Sequence, residues 1–398
     1  MSEPTARFRT VDEHVDEPSE RARTWAATMG GHAHGEHLVG ESPVVRAHAD
    51  PGPTVGSAPV RDRAYREELE DAALAPGATR ARGAGNRSVA EDADPERTCF
   101  ERDRDRILHS SAFRRLAGKT QVFVLPEDHQ RTRLTHALEV AQVATAISRA
   151  VGLNVALTEA IALGHDCGHG PGGHASEDAF SPYVDGGYDH AVWGADVVLE
   201  PLNLCLETLD GIRNHSWSRP VPTTPEGEVV SWADRIAYVC HDFEDAVHVG
   251  IVTAEQLPAV VLDRCGDRRS RQLHAFIAAV VAAVRTTGTV GMSADMAEAL
   301  AEFRRFNYEH IYMRAASLEQ NASVVRLLRA LVDFHADHPF AAMDGTWQDA
   351  AEVPVVAGTP EAAVRAVTYV GGMTDRFAFD QARTHLGWHE ADLPRGIG

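Results

Sequence analysis

Residues 154–174 read NVALTEAIALGHDCGHGPGGH, an apolar helical pattern that runs directly into a turn rich in histidine and glycine. Asn154 is a residue type that caps helix N-termini. Leu157, Ile161 and His165 then recur every four residues along one helical face. The helix is therefore expected to end with polar side chains on its apolar side. Because buried polar groups are costly without partners, the sequence predicts a functional site at this junction.

Two other segments carry a polar residue on an apolar helical face. In residues 134–151 this face includes His136, and in residues 231–249 it includes Asp234. Further helical patterns, some of them interrupted, cover residues 188–212, 254–263, 270–286, 293–337 and 360–386. Because strand-like alternation is scarce after about residue 95, the sequence predicts an all-α fold.

Composition and charge exclude several classes of protein. Of 398 residues, 44% are hydrophobic, and the longest apolar stretch, Ala275–Val284, is too short to cross a membrane. The formal net charge of −20 disfavours a general nucleic-acid binder, whose phosphate contacts need clustered cations. The five cysteines form no C-x-x-C pair, which argues against a disulfide framework or a thiolate zinc site. The N-terminus lacks a signal-peptide pattern, so we expect a cytoplasmic protein.

His136, the adjacent pair His165 and Asp166, and Asp234 form a pattern of metal ligands when they are taken together. Taken singly, a core histidine is usually hydrogen-bonded and a core aspartate usually pairs with an arginine. Two inward-facing carboxylates beside two imidazoles instead favour a bound cation that offsets their charge. Such a ligand set leaves coordination positions open and suits Mn²⁺ or Mg²⁺, or else Fe²⁺, Co²⁺ or Ni²⁺, better than structural zinc.

This order of residues, H…HD…D, resembles the signature of the HD superfamily. Longer strings are similar to those of its deoxyguanosine-triphosphate triphosphohydrolase group: RDRDRILHSSAFRRL at residues 102–116, KTQVF at 119–123, RLTHALEVAQ at 133–142, WADRIAY at 232–238 and GMTDR at 372–376. The resemblance covers about residues 95–385 and is far more specific than the short signature alone.

The resemblance implies a role for each matching residue. The implied metal ligands are His136, His165, Asp166 and Asp234. The residues implied to line the reacting phosphate, and so to be catalytic, are His169, His174, Glu177 and His190. The implied triphosphate contacts are Lys119, Arg133, Arg235 and Tyr238, with Asp242 at the sugar 3′-hydroxyl and Arg115 near the sugar or base. Lys119 is also the only lysine among the 38 lysines and arginines of the chain.

The activity implied by the resemblance is metal-dependent hydrolysis of dGTP or other dNTPs to a deoxynucleoside and inorganic triphosphate. His174, with Glu177 three residues later on one helical face, makes a plausible acid–base pair. Expected partners are the dNTP substrate, a nucleotide effector and further copies of the chain. Two alternatives stay open: another HD phosphohydrolase, such as a 5′-nucleotidase or cyclic-nucleotide phosphodiesterase, and a protein that only binds nucleotides or single-stranded nucleic acid.

The predicted organisation is an HD-domain helical bundle with additional C-terminal helices and a disordered N-terminal region. Residues 1–60 are predicted to be a disordered tail, and residues 61–95 a short helix and linker. Residues 96–398 are predicted to be the catalytic domain, with a metal core at about 130–250 and a C-terminal helical part at 251–398.

The turn departs from the family pattern at one position. The family turn usually has a phenylalanine after its proline, where this chain has Gly172. Glycine removes an aromatic wall and frees the backbone. The sequence therefore predicts a looser turn, a less firmly held His174 and altered base or sugar selectivity.

Overall fold

The structure is a computed structural model, and it divides the chain into two compact units, residues 1–60 and residues 61–398. The residues that it describes are 18–50, 52–56, 59–83, 85–126, 130–339 and 355–396.

The first unit contains one helix and one hairpin in its described part. The helix α1 (Glu20–Ala27) begins at Ser19, whose hydroxyl accepts a hydrogen bond from a backbone N–H of the first turn. Strands β1 (His32–Val39) and β2 (Ser42–Arg46) pair antiparallel. The sequence instead predicts a tail without regular structure here. Most hairpin side chains are exposed, so the sequence lacks the apolar alternation by which strands are predicted. Residues 1–17 of the predicted tail lie outside the described residues.

The described part of the second unit is helical, in agreement with the predicted all-α fold. Its helices are α2 (Arg63–Ala73), α3 (Cys99–His109), α4 (Ser111–Arg115), α5 (Arg133–Val151), α6 (Val155–Gly164), α7 (Ala175–Phe180), α8 (His190–Trp193), α9 (Leu206–Arg213), α10 (Pro225–His248), α11 (Ala259–Cys265), α12 (Arg269–Thr287), α13 (Ala294–Asn307), α14 (Ala315–Asp337), α15 (Pro360–Gly371) and α16 (Asp375–Leu386).

Capping residues set the ends of the central helices. Thr132 and Thr135 form a reciprocal capping box at the start of α5. The helix ends at Gly152, whose φ of +75° is the left-handed conformation that glycine adopts at low cost. Asn154 then accepts a hydrogen bond from the backbone of Leu157 and begins α6. These caps fix where α5 ends and where α6 begins, and α6 then leads directly into His165 and Asp166.

Two of the longer predicted helices are interrupted. Between α8 and α9 the chain makes a π-helical turn at Gly194–Val198 and a 3₁₀ turn at Glu200–Leu202. Pro201 in the second turn cannot supply an N–H to a continuing helix. Between α13 and α14 the interruption is a π-helical turn at Tyr308–Tyr312.

Two hydrophobic clusters hold the second unit together. In the larger cluster, α5 and α6 pack on each other and on α10, around fully buried side chains such as Ile147, Leu157 and Ile161. In the smaller cluster, α14 packs on α7, α15 and α16. None of the described helices combines the length and the apolar character needed to span a bilayer. All five cysteines are buried and unpaired.

Candidate active site

The four predicted metal ligands converge where α5, α6 and α10 meet. His136 Nε2 lies 3.0 Å from Asp234 Oδ1 and 3.9 Å from Asp166 Oδ2. His165 Nε2 lies 3.4 Å from Asp166 Oδ1 and 3.7 Å from Asp234 Oδ1. A cation with ligand distances of about 2.0–2.2 Å fits among donors with these separations.

Hydrogen bonds orient the imidazole of His165 toward this cluster. Its Nδ1 donates to the carbonyl of Ala162 at 2.7 Å, so its Nε2 carries a lone pair. That Nε2 is buried and has no hydrogen-bond partner in the described structure. An orphaned buried acceptor beside two carboxylates is the arrangement that a cation satisfies, so these residues fit a metal ion.

Charged neighbours keep the buried carboxylates of the cluster ionised. Burial by itself raises the pKa of Asp166, but His165 and the guanidinium of Arg133 outweigh it and hold that pKa well below its ordinary value. Arg133 Nη1 lies 2.6 Å from Asp166 Oδ2, which leaves Oδ1 facing the histidines. Burial disfavours the charged form of His136, yet Asp234 and then Asp166 raise its pKa overall.

A second group of histidines surrounds Glu177 beside the metal cluster. Glu177 bridges two rings, with Oε2 at 3.0 Å from His174 Nδ1 and Oε1 at 2.7 Å from His190 Nδ1. His169 stacks on His190 with ring centroids 3.7 Å apart, and its Nε2 lies 3.3 Å from Asp166 Oδ1. His174 has a side chain 72% exposed, whereas His169 and His190 are buried.

His215, which is not among the residues predicted from the sequence, lies in the same group. Its Nδ1 donates to the carbonyl of Ile212 at 2.8 Å, and its Nε2 faces His190 Nε2 at 3.3 Å. Burial, and then the neighbouring His165, lower the pKa of His215 to about 4, so its ring is neutral near neutral pH. The available signal was a histidine just after an apolar helix, as at His165.

A cavity of about 400 Å³ opens onto both groups. Four of the predicted substrate contacts line this cavity: Arg133, Arg235, Tyr238 and Asp242. Residues that the sequence did not single out also line it: Gln121, His215, Trp217, Arg304 and Tyr312.

Several of these additional residues hold the predicted contacts in place. The guanidinium of Arg235 lies 3.4 Å above the ring of Trp217. Tyr312 donates to Asp242 Oδ2 at 2.5 Å, and burial raises the pKa of Asp242 to about 7. Arg304 donates to the hydroxyl of Tyr238 at 2.9 Å.

Arg115 and Lys119 lie elsewhere, around a separate cavity of about 490 Å³ that also includes Cys167. Lys119 Nζ donates to the carbonyls of His169 and Gly371, the latter at 2.9 Å. Burial, and then the nearby Arg115, lower the pKa of this amine to about 7. Burial raises the pKa of the Cys167 thiol to about 12, so this cysteine is an unreactive core group. In this structure Lys119 therefore binds the backbone of the histidine turn and does not line the cavity of about 400 Å³.

The glycine turn is anchored, where the sequence predicts a loosened one. Gly172 has a φ of +72°, and its N–H donates to Asp375 Oδ1 at 2.9 Å. The other oxygen of Asp375 accepts from the N–H and hydroxyl of Thr120, at 3.0 and 2.6 Å. A Cβ atom at Gly172 would overlap Val324 of α14, so an aliphatic side chain already fills the place beside this turn.

Comparisons with known proteins agree with this architecture. The family model described as HD domain matches residues 133–239, and that described as phosphohydrolase-associated domain matches residues 290–384. A deoxyguanosinetriphosphate triphosphohydrolase-like protein of Caldanaerobacter subterraneus subsp. tengcongensis is 39% identical, over 79% of this chain and 93% of the relative. Its counterpart in Desulfatibacillum aliphaticivorans is 37% identical, over 80% of this chain and 95% of the relative.

Another such relative, from Clostridium perfringens, is 36% identical over 74% of this chain and 89% of its own length. Among solved structures, a hypothetical protein of Aquifex aeolicus has a TM-score of 0.41 and 17% identity, and it covers 73% of this chain and 69% of its own. The matches to the curated relatives extend over most of both chains. The chain therefore belongs to the HD-domain family of deoxyguanosinetriphosphate triphosphohydrolase-like proteins.

Proposed function

We propose that this protein is a metal-dependent phosphohydrolase that converts dGTP or another dNTP to a deoxynucleoside and inorganic triphosphate. One observation carries the proposal: the donors of His136, His165, Asp166 and Asp234 converge at the wall of a cavity that arginines also line. The names of the curated relatives support the same reaction.

The four converging donors would hold Mn²⁺ or Mg²⁺, and Fe²⁺, Co²⁺ or Ni²⁺ also suit this ligand set. When bound, such a cation neutralises and polarises a phosphate oxygen. The nitrogen and oxygen donors are positioned by helix ends and helix faces of the larger cluster, so the site is formed before any substrate arrives.

Arginines of the cavity would bind the triphosphate. The Nε and Nη2 groups of Arg133 and the Nε of Arg235 are buried without a hydrogen-bond partner in the described structure. Guanidinium groups are suited to phosphate because their planar N–H donors match its oxygens. Tyr238 and Arg304, joined by a hydrogen bond, extend this polar wall.

His174 would act as the general acid or base. Its Nδ1 is held by Glu177, which leaves Nε2 to give a proton to the leaving 5′-oxygen or to take one from the attacking water. Glu177 also holds His190, so one carboxylate orients both rings. In the same cavity, the linked Asp242 and Tyr312 would contact the sugar 3′-hydroxyl.

Product identification tests the proposal. The purified chain is incubated with Mn²⁺ or Mg²⁺ and each of the four dNTPs or GTP, and the products are separated by anion exchange. Deoxynucleoside plus triphosphate, lost with EDTA and in Asp234→Ala, is the expected outcome. Orthophosphate with a nucleoside diphosphate would still identify a phosphohydrolase, but it would contradict the proposed release of intact triphosphate. Binding without turnover would instead favour a nucleotide-binding protein.

Three expectations about the protein stay predictions: a homo-oligomer, a nucleotide effector and a cytoplasmic location. Nucleic-acid binding stays an alternative, which the net charge of −20 disfavours. The first two can be checked together. Light scattering on the purified chain, with and without added GTP or dNTP, measures whether its mass is a multiple of 43.1 kDa and whether nucleotide changes that multiple.

A further inference from the structure

The cavity of about 490 Å³ that Arg115 and Lys119 line is separate from the proposed active site. It shares no lining residue with the cavity of about 400 Å³ that opens onto the histidine–aspartate cluster. None of the described residues that line it is an aspartate or a glutamate. In a chain with a net charge of −20, a cavity whose charged groups are all basic is suited to an anion.

Arg115 has no partner for its guanidinium group. The Nε atom is buried, and the guanidinium makes no hydrogen bond and no ion pair with any described residue. Burial also lowers the pKa of Arg115. A guanidinium carries five N–H donors and stays charged in proteins, so leaving it partly buried without an acceptor is costly. A bound anion would supply the missing acceptors.

The carboxylate of Asp375, at the start of α16, does not serve as this acceptor. Its Oδ1 accepts from the N–H of Gly172, and its Oδ2 accepts from the N–H and hydroxyl of Thr120. Burial, and then the positive charge of Arg115, lower the pKa of Lys119 to about 7. The two basic groups thus act on each other as like charges, which an anion between them would relieve.

Lys119 and α16 offer further donors to an anion in this cavity. The amine of Lys119 donates to the carbonyls of His169 and Gly371, so a protonated amine has a third N–H left for a ligand. Thr374, the N-cap of the twelve-residue helix α16, lines the cavity together with Phe377 of its first turn. The N-terminus of a helix carries partial positive charge and favours anions.

We infer that Arg115 and Lys119 bind an inorganic phosphate oxyanion at this second site. The planar N–H donors of a guanidinium match two oxygens of a phosphate group, and an ammonium adds a point charge. Two sources share this chemistry: free phosphate, and the triphosphate that the proposed reaction releases. Only the second source rests on the proposed function. A bound anion would contact the same amine that holds the backbone of the histidine turn.

Calorimetric titration of the full chain with phosphate, and separately with triphosphate, tests the site. Arg115→Gln should weaken the binding of one anion per chain by at least about tenfold, because it removes charge-assisted hydrogen bonds. The matched control is Arg114→Gln, because Arg114 is the exposed neighbour on α4 and does not line the cavity. It should bind as the wild type does. Whichever anion binds more tightly identifies the source.

Arg235→Gln separates this site from the active site, since Arg235 lines only the cavity of about 400 Å³. It should keep the anion that Arg115→Gln loses. An anion lost in Arg235→Gln and kept in Arg115→Gln would belong to the active site, and the inference would be wrong. No binding of either anion to the wild type would also overturn it. Circular dichroism verifies folding, and Arg115→Lys, which keeps the charge, should recover part of the affinity.

A measurement on the wild type locates the anion without any variant. Crystals of the full chain are soaked in selenate, a tetrahedral oxyanion whose selenium gives an anomalous signal. We expect an anomalous peak beside Arg115 and Lys119. Peaks confined to the arginines of the active-site cavity would reject the second site.

Both measurements are independent of turnover. If no dNTP is hydrolysed, the affinity for phosphate and the position of selenate are unaffected. If triphosphate is the product but no anion binds beside Arg115, the proposed function stands and the second site falls.

Discussion

At the scale of single residues, His165 and His215 are held in the same way. Each donates Nδ1–H to the carbonyl three residues earlier, Ala162 for the first and Ile212 for the second. The backbone at a helix end thus selects the tautomer and directs Nε2 into the cluster. Because the acceptor is a backbone carbonyl three residues away, no other side chain is needed to fix the tautomer, and both Nε2 atoms are available as lone-pair donors.

His174 carries the first prediction. Replacement by alanine should reduce kcat by ~10²–10⁴-fold, because the site loses its proton donor or acceptor while the proposed metal donors remain. Mn²⁺ content, measured on the same preparation, should equal that of the wild type. Full activity in His174→Ala would remove this histidine from the mechanism, and loss of metal would make its role structural.

Lys119 gives a prediction about pH. Burial lowers the pKa of its amine from 10.5 to about 7, so the folded state binds fewer protons than the unfolded state between these values. The free energy of unfolding should therefore rise with pH above about 7, by at most about 1.4 kcal/mol per pH unit from this group. Urea unfolding across this range measures the slope, and Lys119→Met should lack this contribution. Equal slopes in the two proteins would show that the amine is not perturbed.

At the scale of secondary-structure elements, Arg131 joins the helices that carry two of the proposed ligands. Its Nε lies 2.9 Å from Glu139 of α5, its Nη2 lies 2.8 Å from Glu244 of α10, and its Nη1 pairs with Asp245. One guanidinium thus contacts three carboxylates between α5, which carries His136, and α10, which carries Asp234.

Removing this guanidinium should weaken both stability and metal binding. Arg131→Met removes the one guanidinium that contacts all three carboxylates, while Arg269 still pairs with Glu244. The expected loss is on the order of 2 kcal/mol, below that of a fully buried pair because two partners are partly exposed. Urea unfolding and Mn²⁺ titration measure the two effects. The control is Arg383→Met, whose ion pairs lie at the surface and should matter little. Equal losses in both variants would refute a special role for Arg131.

Local signals explain why the central helices could be predicted and other features could not. The cap at Asn154 and the stripe ending at His165 both lie within residues 154–165, and the structure brings the four proposed ligands together. The inner position of Lys119 depends on Gly371, far away in sequence, so no local pattern indicates it. His215 was missed because a helix-end histidine has meaning only when its spatial neighbours are known.

At the scale of the whole second unit, the smaller hydrophobic cluster supports the active-site turn. Asp375 at the start of α16 accepts from the N–H of Gly172, and Val324 of α14 packs against the same glycine. Both helices belong to the C-terminal part of the chain, whereas α5, α6 and α10, which position the proposed ligands, pack in the larger cluster. The geometry of the turn therefore depends on the packing between two parts of the fold.

A double-mutant cycle tests this packing. Gly172→Ala should destabilise the protein by about 1–3 kcal/mol, because the new methyl group overlaps Val324 and the backbone has a positive φ. Val324→Ala removes the overlapping methyl groups, so the double variant should lose less than the sum of the two single losses, with a coupling of ~0.5–3 kcal/mol. Urea unfolding of the four proteins measures the coupling, and strict additivity would mean that the two residues do not meet.

Because the only lysine of the chain is buried, its chemical labelling can report local opening of the structure. Amine-reactive reagents modify neutral, accessible amines, and Lys119 is neutral near pH 8 yet only 2% exposed. The rate of Lys119 acylation, followed by peptide mass spectrometry, therefore measures how often the amine separates from the carbonyls of His169 in the histidine turn and Gly371 in α15. The labelling rate should fall when substrate or Mn²⁺ holds the turn closed, and a rate equal to that in urea would show that the amine is not enclosed.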